Sequence, residues 1–551
     1  MLKDCTASGR PRRLDITEPG FFKFIEQDLW RSSPCFQHAQ PIHRICTLWR
    51  KMGVGTLYVE HLNAGEHVQQ ELDAVSRRIG KAVKPHLVRV SAFFGRVRRP
   101  VAQNRYLGYA AVLRLRLAPN TWRSYVIDAV VRAPSTMTEA ELQPAYLMNN
   151  YLHSAREYAG QLADRQYTVL GTLFCQQNNL TSICAHAALR MAISNSCAPD
   201  ASPLTTERIN EILGVDHSDK PFGQAPGEPV HHGGLDEKAI WECAEQCGFA
   251  PKRWDFFANP NIEYHDVVYP MVESGCPTLL EFTTIPGQYS HVVPVLGHTL
   301  NTDAWAPQAE PAYSRYSPVF PPHISTSRWV DHFIISDDNF GPYLCLPVLS
   351  LRKRTIPRWD SQFRARKAIA LFSQRVGYTS VSVERKAASV YWFVLKELSS
   401  GTATSRVKEQ IFTPVWRAVD DPKYHRPSPV MRMVLSDRDA YLDHLRQTIY
   451  GREELPTDIA ARLMDLEGRF WVCEVTLPDL YTGNKTKLGD ILIGAGRPEA
   501  EQDDPPLLMA RMRGLFLFPE AGNLLILFDP HVAVHTPLLR LASPVSPSIE
   551  W

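Results

Sequence analysis

The segment around Cys184 combines residue types that could carry out nucleophilic chemistry. Cys184 follows a polar loop that contains Gln176 and Gln177, and it opens an alanine-rich apolar stretch that favours a helix. The thiolate is the reactive form of cysteine, and the positive end of a helix favours it over the thiol. The free N–H groups of a helix amino terminus and a side-chain amide can together hold an oxyanion. We therefore predict Cys184 as a nucleophile, with Gln177 as the side-chain donor and Gln176 as the competing candidate.

The same cysteine also has a simpler interpretation. A cysteine at the start of an apolar helix is usually a small buried hydrophobic residue. The glutamine pair ahead of it favours the chemical interpretation, because packing alone needs no amides there. Cys175 and Cys197 have no comparable setting, and we interpret both as structural. His186 lies two residues after Cys184 and should point to another side of the helix, so it is a poor partner.

A general base for the thiol is predicted further along the chain, at His291. This residue opens a strand-like run at residues 291–296, which follows a first strand-like run at residues 277–282 and a polar turn. A histidine at a strand end can face a cleft, and an imidazole with an ordinary pKa of about 6.5 suits a general base. A histidine beside an apolar strand is otherwise more often structural. The nucleophile candidate that precedes it shifts the interpretation towards chemistry.

A carboxylate that could orient this imidazole follows the next strand. The apolar run of residues 329–336 ends in Asp337, Asp338 and a turn with the sequence NFGP. An acid here could accept the second imidazole N–H and fix the tautomer, as in catalytic triads. We choose Asp337, with Asp338 as the alternative, and a plain polar turn is an equally good interpretation of either residue. Asn301 and Asp303 are weaker candidates.

The helix that must carry Cys184 is predicted at residues 183–193. Thr181 or Ser182 is a suitable N-cap, and the apolar residues that follow recur at helical spacing, which is typical of a helix buried in a core. The two strand-like runs around His291 predict an antiparallel sheet on which this helix packs.

The chain of 551 residues is long for one hydrophobic core, and its patterns separate three regions. We predict an α+β fold with a central domain at residues 166–350. An N-terminal α+β domain at 1–165 and a C-terminal α+β domain at 376–551 flank it, and the roles of both are open. Predicted elements of the flanks are helices at residues 66–83 and 138–164, a helix capped by Ser436, and strands at residues 390–395, 470–477, 489–493 and 524–528.

The composition argues against several classes of function. Sixty basic and 58 acidic residues leave a formal net charge of +2, which gives no general attraction to nucleic acid or to an anionic membrane. The amino terminus lacks the apolar stretch of a secretory signal, and no apolar run approaches the roughly 20 residues of a membrane span. The 11 cysteines are scattered, so we expect a reducing, cytoplasmic location and mostly buried thiols.

No cofactor and no metal is predicted, and the expected partner is a peptide or protein substrate. Cys243 and Cys247 lie four positions apart on a predicted helix, but the sequence has no second pair at zinc-ligand spacing. The two cysteines continue an apolar helix face, so core packing is the simpler interpretation. His231 and His232 belong to a loop and have no identifiable partner. The sequence has no glycine-rich nucleotide-binding motif.

The order of these residues resembles that of the papain-like cysteine peptidase superfamily. A glutamine and a cysteine at a helix start, a histidine at a strand start and an acid after the next strand are most similar to the bacterial bacteriocin-processing peptidases. The segment GGLDEKAIWECAEQCGF, residues 233–249, is similar to a helix of such domains. ESGCPTLLEF followed by HVVPVLGH is similar to their central strand pair. The likeness covers the central domain and leaves both flanks unexplained.

The resemblance implies a thiolate–imidazolium pair of Cys184 and His291, oriented by Asp337 or Asp338, with Gln177 at the oxyanion. It implies a cysteine hydrolase that cleaves a peptide or isopeptide bond through an acyl-thioester. Two features depart from the pattern. Gln177 lies one residue further from the cysteine than the corresponding glutamine of papain. The stretch of residues 297–328 is long for a connection between paired strands, and it could cover the cleft.

Two alternatives remain open from the sequence. The same fold could pass the acyl group to an amine, as an acyltransferase or a transglutaminase-like enzyme does. The papain-like core could also be a catalytically inactive scaffold, with flanking domains that bind a protein partner.

Overall fold

The structure is a computed structural model. It describes residues 2, 4–16, 23–98, 103–133, 150–196, 204–214, 235, 237–284, 290–300, 323–351, 363–399, 429–448, 455–466, 468–478, 480–484, 486–496, 504–512, 515–520, 523–528 and 536–539. The elements form a mixed α+β fold of mostly antiparallel sheets, as the sequence predicts. Within the described residues, no helix is both long enough and apolar enough to cross a membrane.

The first sheet comes from the N-terminal part of the chain. Its strands are β1 (Thr6–Ala7), β2 (Arg12–Asp15), β3 (Val54–Asn63), β4 (Lys84–Phe94), β5 (Tyr106–Ala118), β6 (Thr121–Arg132), β8 (Arg156–Leu162) and β9 (Arg165–Phe174). They pair in the order β1-β3-β4-β5-β6-β9-β8, and β2 also pairs with β3. Successive side chains of a strand point to opposite faces. Leu57 and Val88 accordingly pack with α1 (Gln40–Lys51) on one face, and Tyr58 and Leu87 pack with α2 (Glu66–Ile79) on the other.

The second sheet carries the predicted base. Its strands are β7 (Asn150–Leu152), β10 (Ala250–Asp255), β11 (Thr278–Thr284), β12 (Ser290–Thr299), β14 (His332–Asp337), β15 (Gly341–Pro347) and β16 (Phe363–Phe372). They pair in the order β10-β16-β11-β12-β14-β15, with β7 also on β12. Helices α3 (Cys184–Ser194), α4 (Thr206–Ile212) and α5 (Glu237–Gln246) cover one face, and α6 (Tyr264–Glu273) covers the other.

The third sheet comes from the C-terminal part of the chain. Its strands are β13 (Ile324–Ser325), β17 (Val430–Asp437), β18 (Arg469–Thr476), β20 (Gly489–Gly494), β21 (Leu507–Met512), β22 (Leu515–Glu520) and β23 (Asn523–Phe528), and a small separate sheet pairs β19 (Thr486–Lys487) with β24 (Thr536–Pro537). Helix α7 (Ser380–Ser399) packs on one face, and α8 (Arg438–Thr448) and α9 (Thr457–Met464) pack on the other. One hydrophobic core joins α6 of the second sheet to this third sheet.

The sheets exchange segments along the chain. β9 continues the first sheet beyond residue 165, and β16 lies in the second sheet beyond residue 350. β7 precedes the last two strands of the first sheet, yet it pairs with β12 of the second. β13 pairs in parallel with β17 of the third sheet. The limits of the sheets therefore do not coincide with the predicted boundaries at 165 and 350.

Several predicted elements are confirmed, and two are wrong. The predicted helix at residues 66–83 appears as α2, and three predicted strands appear as β18, β20 and β23. The segment predicted as a helix at 138–164 contains β7 and β8, and its residues 138–149 lie outside the described residues. The run at 390–395, predicted as a strand, lies inside α7.

The errors have a physical cause. In α7, Val383, Ala387, Tyr391 and Val394 recur at helical spacing and are all buried, so tertiary burial outweighs the strand propensity of the valines and aromatic residues. The cap of α8 is also different from the prediction. The carboxylate of Asp437, and not Ser436, accepts a hydrogen bond from the Ala440 N–H, at 2.8 Å.

Candidate active site

The loop before Cys184 is held by the side chain of Asn178. Its Oδ1 accepts hydrogen bonds from the backbone N–H groups of Leu180, Thr181 and Ser182, at 2.7, 2.8 and 3.0 Å. Its Nδ2 donates to Thr181 Oγ1 at 2.9 Å. Thr181 and Ser182 are therefore parts of this loop and not the N-cap, which is Ile183 in an extended conformation. The prediction of the cap was wrong by one or two residues because the loop uses the hydroxyls itself.

A buried arginine of the first sheet holds the same loop through its backbone carbonyl groups. Arg123 on β6 is fully buried and donates to the carbonyl oxygens of Asn178, Gln177 and Phe36, at 2.9, 2.7 and 2.8 Å. Hydrogen bonds from a charged donor are stronger than neutral ones. Arg123 and Asn178 are positioning residues that the sequence reasoning missed. Asn178 lies in the polar loop that contains Gln176 and Gln177, but no local pattern marks Arg123.

Cys184 is the first residue of α3, and its side chain is partly exposed. The helix is fixed by its apolar face, because Leu189 and Ile193 are fully buried in a core shared with Leu279 and Val292 of the second sheet. The thiol thus stands where the predicted helix amino terminus meets the sheet. Cys175, by contrast, is completely buried, and burial raises the pKa of its thiol to about 11.

The pairing of two strands brings His291 to the predicted acids. β12 and β14 are antiparallel neighbours with Val295 opposite Ile335, so the start of β12 lies beside the end of β14. His291 Nε2 lies 3.1 Å from Asp337 Oδ2 and 3.6 Å from Asp338 Oδ1. The ring of Phe282 on β11 meets the imidazole edge to face, with centroids 5.5 Å apart.

The protonated form of His291 is strongly favoured. Burial alone would lower the pKa of this imidazole, but hydrogen bonds with Asp337 and Cys184 and the charges of Asp338 and Asp337 raise it to about 11. Because Nε2 meets Asp337, Nδ1 is the ring nitrogen left for the thiol. An imidazolium between a thiol and a carboxylate is the arrangement that a Cys-His-Asp triad requires.

The two acids differ in their surroundings. Asp337 makes the shorter contact with His291, and its Oδ1 also accepts a hydrogen bond from the Asn339 N–H at 2.8 Å. Asp338 is 1% exposed, and its Oδ2 has no hydrogen-bond partner among the described residues. Burial and the neighbouring charge of Asp337 raise the pKa of Asp338 to about 7, although His291 acts in the opposite direction. Asp337 is the acid better placed to orient the imidazole.

The two glutamines also separate. Gln176 is buried, with its Nε2 donating to the His38 carbonyl at 2.9 Å and its Oε1 accepting from the Val126 N–H at 3.1 Å. Both the nitrogen and the oxygen of its amide therefore make hydrogen bonds within the structure. Gln177 is partly exposed, and its Nε2 lies 3.4 Å from Asn339 Oδ1. Gln177 has the freer amide, but it is not among the described residues that line the cleft at Cys184.

Cys184 and His291 line one cleft with a volume of about 280 Å³. Its apolar lining includes Leu279, Ile240 and Ile369. The charged residues of the lining form ion pairs, with Lys367 Nζ 2.6 Å from Glu237 and Arg366 3.2 Å from Glu281. The cleft therefore offers an apolar surface and neutralised charges beside the thiol.

The remaining predicted residues lie elsewhere. His186 is buried on α3, where its Nδ1 accepts from the Ile183 N–H and its Nε2 lies 3.0 Å from Asn210 Oδ1. Cys243 and Cys247 pack in the hydrophobic core around α3 and α5, in agreement with the packing interpretation. The following predicted residues lie outside the described residues: Cys197, His231, His232, Asn301, Asp303 and most of the 297–328 stretch.

Two clusters of described residues have ligand atoms close enough to hold a metal ion. In one, the ligand atoms of His291, Asp337 and Asp338 lie within 4.8 Å of one another. In the other, the same holds for His153, Glu273 and His298. The guanidinium of Arg432 contacts Glu273 in this second cluster, and a resident cation disfavours a metal there. The first cluster coincides with the predicted triad.

Comparison of the chain with protein-family models, with curated proteins and with solved structures finds no match. The resemblance to papain-like peptidases consequently depends on the residues and their geometry alone.

Proposed function

We propose that the protein is a cysteine hydrolase of papain-like type that cleaves a peptide or isopeptide bond. One observation carries the proposal. Cys184, the first residue of a buried helix, lines the same cleft as His291 and contributes to the raised pKa of that imidazole, which lies 3.1 Å from Asp337. The thiol and the imidazole line an open cleft, so a substrate carbonyl has access to the sulfur.

The proposed reaction has two steps. In the first, the thiolate of Cys184 attacks the carbonyl carbon, the C–N bond breaks, and His291 gives its proton to the departing amine. In the second, His291 accepts a proton from water, whose oxygen attacks the acyl carbon, the C–S bond breaks, the acid leaves, and the Cys184 thiolate is restored beside the protonated His291. Asp337 keeps the imidazole oriented in both steps.

The oxyanion would be held by backbone N–H groups at the start of α3. Gln177 is the proposed side-chain donor, and its carbonyl is already fixed by Arg123. The Gln177 amide has two N–H groups, and one of them is used in the contact with Asn339, so the second would be the donor to the oxyanion.

The test is modification and turnover of the purified full-length protein. Wild type is treated with a peptide chloromethyl ketone, digested and analysed by mass spectrometry, and it is also incubated with a peptide library. We expect selective modification of Cys184 and new peptide termini. Cys184→Ala should abolish both results, because it removes the attacking sulfur.

A matched control comes from a second cysteine. Cys345 on β15 is also partly exposed, but no described hydrogen bond links it to a histidine. Cys345→Ala should therefore keep the turnover. Equal turnover in wild type and Cys184→Ala would contradict the proposal, and an inert wild type with an unreactive Cys184 would favour the inactive scaffold.

The acyl acceptor is the second question, because the same thioester can pass to water or to an amine. Hydroxylamine added during turnover competes with water and gives a hydroxamate that mass spectrometry separates from the acid. A hydrolase yields mainly the acid when a natural primary amine, such as lysine, is offered at millimolar concentration. A dominant amide product would assign an acyltransferase instead.

A metal-dependent hydrolase is the second candidate function, and the paired acids favour it. The distances of 3.1 and 3.6 Å from His291 Nε2 to the two carboxylates are close to the roughly 3.4 Å that separates ligands of a tetrahedral zinc ion with bonds of about 2.1 Å. The two candidates predict opposite results. A metal-dependent enzyme loses its turnover to a chelator and keeps it in Cys184→Ala, whereas a thiol hydrolase does the reverse.

A further inference from the structure

A cluster of cationic side chains surrounds Trp122 at one end of the first sheet. The guanidinium carbons of Arg31, Arg116 and Arg114 lie 4.6, 5.8 and 6.0 Å from the centre of the indole ring. The ring of His86 lies 6.2 Å from it. These five residues, which we call the Trp122 patch, bring three permanent positive charges to one aromatic side chain.

The strand register explains why they meet. Arg114 and Arg116 stand two residues apart on β5 and so share a face of the sheet. His86 on β4 is opposite Arg114, and Trp122 on β6 is opposite Arg116. Lys84 on β4 lies opposite Arg116 on the other side of β5, and it adds a further exposed cation to the same face. The patch is therefore a product of regular strand pairing.

Within the part of the chain that the structure describes, the cations of the patch form no ion pair, although the charge of Asp28 acts on Arg114. Among the described residues, none of the ion pairs involves Arg31, Lys84, Arg114 or Arg116. Asp28 lies nearby, but its carboxylate pairs with Arg12, and Arg114 donates only to its backbone carbonyl. The whole chain is almost neutral, with a formal charge of +2. The concentration of unpaired cations at this one place is thus a feature of the surface and not of the composition.

We propose that the Trp122 patch binds an acidic segment of a partner protein, a role that goes beyond the proposed hydrolase activity and does not depend on it. Guanidinium groups held against an indole are pre-oriented, and their N–H groups pair well with carboxylates. Alternate residues of β5 are about 7 Å apart, which is also the spacing of alternate side chains in an extended peptide. An extended segment with acidic residues at every second position matches this surface.

The chemistry favours a protein partner over a nucleic acid. Proteins that hold single-stranded nucleic acid expose aromatic faces on which the bases stack. The indole of Trp122 is only partly exposed, and guanidinium groups already lie against it, Arg31 at 4.6 Å. The patch offers charge without a free stacking surface.

The patch and the loop before Cys184 share one end of β6 but lie on opposite faces of the first sheet. Trp122 directly precedes Arg123 in β6, and Arg123 holds the Gln177 carbonyl at 2.7 Å. The strand end that carries the patch is therefore the one that supports the loop before Cys184.

The binding experiment uses the full chain and a fluorescein-labelled peptide in which aspartate or glutamate alternates with serine. Fluorescence anisotropy measures its dissociation constant at 50 and 300 mM NaCl. We expect salt-sensitive binding that the double variant Arg31→Glu/Arg116→Glu weakens at least tenfold. Both arginines are exposed, so the variant should stay folded, and circular dichroism checks this.

The matched control has the same change in net charge at another place. Arg208 and Arg446 are exposed on α4 and α8, and Arg208→Glu/Arg446→Glu should leave the dissociation constant within about twofold. Equal weakening by both double variants would overturn the proposal, because net charge alone would then explain the binding. Tighter, patch-dependent binding of a poly-dT oligonucleotide than of the acidic peptide would also overturn it.

Discussion

Two histidine–carboxylate contacts lie in the same region of the protein, yet their surroundings differ. His298 Nε2 lies 2.9 Å from Glu273 Oε1, and His291 Nε2 lies 3.1 Å from Asp337 Oδ2. Both histidines belong to β12. His298 is completely buried, whereas the side chain of His291 is 20% exposed and lines a cleft.

The contact at Glu273 belongs to a sealed network of alternating charges. Arg432 joins Glu273 to Glu474, and Lys487 joins Glu474 to Asp490, at 2.6 and 2.7 Å. Arg511 completes the chain on Asp490 at 2.6 Å, and every one of these side chains is buried. Each charge has an opposite partner, so the network ties α6 to the third sheet without exposing any group.

The cluster at His291 is unbalanced in comparison. Two acids meet one imidazole, and a thiol stands on the open side. An imbalance of this kind costs stability and perturbs pKa values, which is typical of sites that perform chemistry. A short histidine–carboxylate distance therefore indicates a reactive site only when the charges are unbalanced and the histidine is accessible from a cleft.

The largest expected effect separates the two histidines directly. His291→Ala should lower turnover about ten-thousand-fold, equivalent to about 5 kcal/mol of barrier, because base and proton donor are lost together. His298→Ala should instead lower the free energy of unfolding by about 1–3 kcal/mol, because it leaves a buried carboxylate with one partner fewer. Turnover assays and urea unfolding of both variants measure the contrast. An equal loss of turnover in the two folded variants would contradict the different roles of His291 and His298.

The next effect concerns the sealed network. Arg432→Met should destabilise the protein by about 3–5 kcal/mol, since it removes a buried cation from Glu273 and leaves Glu474 with Lys487 alone. Arg366→Met, at the half-exposed pair with Glu281, should cost less than about 1 kcal/mol. Denaturant unfolding of both variants measures the two losses in free energy of unfolding. Similar losses would show that burial of the charge network does not strengthen its ion pairs.

Asp338→Asn tests whether the excess of acids at His291 makes the stability of the protein depend on pH. The pKa of Asp338 is raised to about 7, above the ordinary value of about 3.9, so the folded state holds this proton more tightly than the unfolded chain does. This group therefore makes wild type less stable as pH rises from about 4 to about 7. Asp338→Asn lacks this loss. Its free energy of unfolding, relative to that of wild type, should therefore rise by about 2–4 kcal/mol between pH 4 and pH 8.

Thermal or urea unfolding at the two pH values measures this gain. Asp439→Asn on the exposed surface of α8 is the control, and its stability should follow that of wild type. A constant difference between Asp338→Asn and wild type across the pH range would contradict the raised pKa.

The smallest effect distinguishes the two glutamines. Gln177→Ala should lower turnover about tenfold, or about 1.4 kcal/mol, without a change in stability, because it removes one oxyanion donor. Gln176→Ala should lower the stability and leave turnover unchanged, since the Gln176 amide makes two hydrogen bonds within the structure. A loss of turnover only in Gln176→Ala would reassign the oxyanion donor.

The parts of this structure that follow from local pattern could be predicted, and those that need distant partners could not. The apolar helix after Cys184 and the strand that His291 opens are continuous runs with clear periodicity, and both exist as α3 and β12. Asp337 could be proposed beside His291 because consecutive antiparallel strands tend to be neighbours. Nothing in a window of sequence shows that Arg123 reaches the loop before Cys184.

The same limit explains the errors in secondary structure. The segment predicted as a helix at 138–164 includes β8, which forms an antiparallel hairpin with β9, and β9 lies outside that segment. The strand-like run inside α7 becomes helical because its buried residues face a core made by another part of the chain. The buried charge network could likewise not be predicted from the sequence, since Glu273 and Arg432 are far apart along the chain.

The proposed ion pair of Cys184 and His291 can be tested by the pH dependence of alkylation. The rate of Cys184 modification by iodoacetamide is followed by mass spectrometry from pH 4 to pH 9 in wild type and in His291→Ala. We predict that wild type keeps a high rate into the acid range, while the rate in His291→Ala falls tenfold per pH unit below about pH 8, as for an ordinary thiol. Superimposable curves for the two proteins would contradict the account.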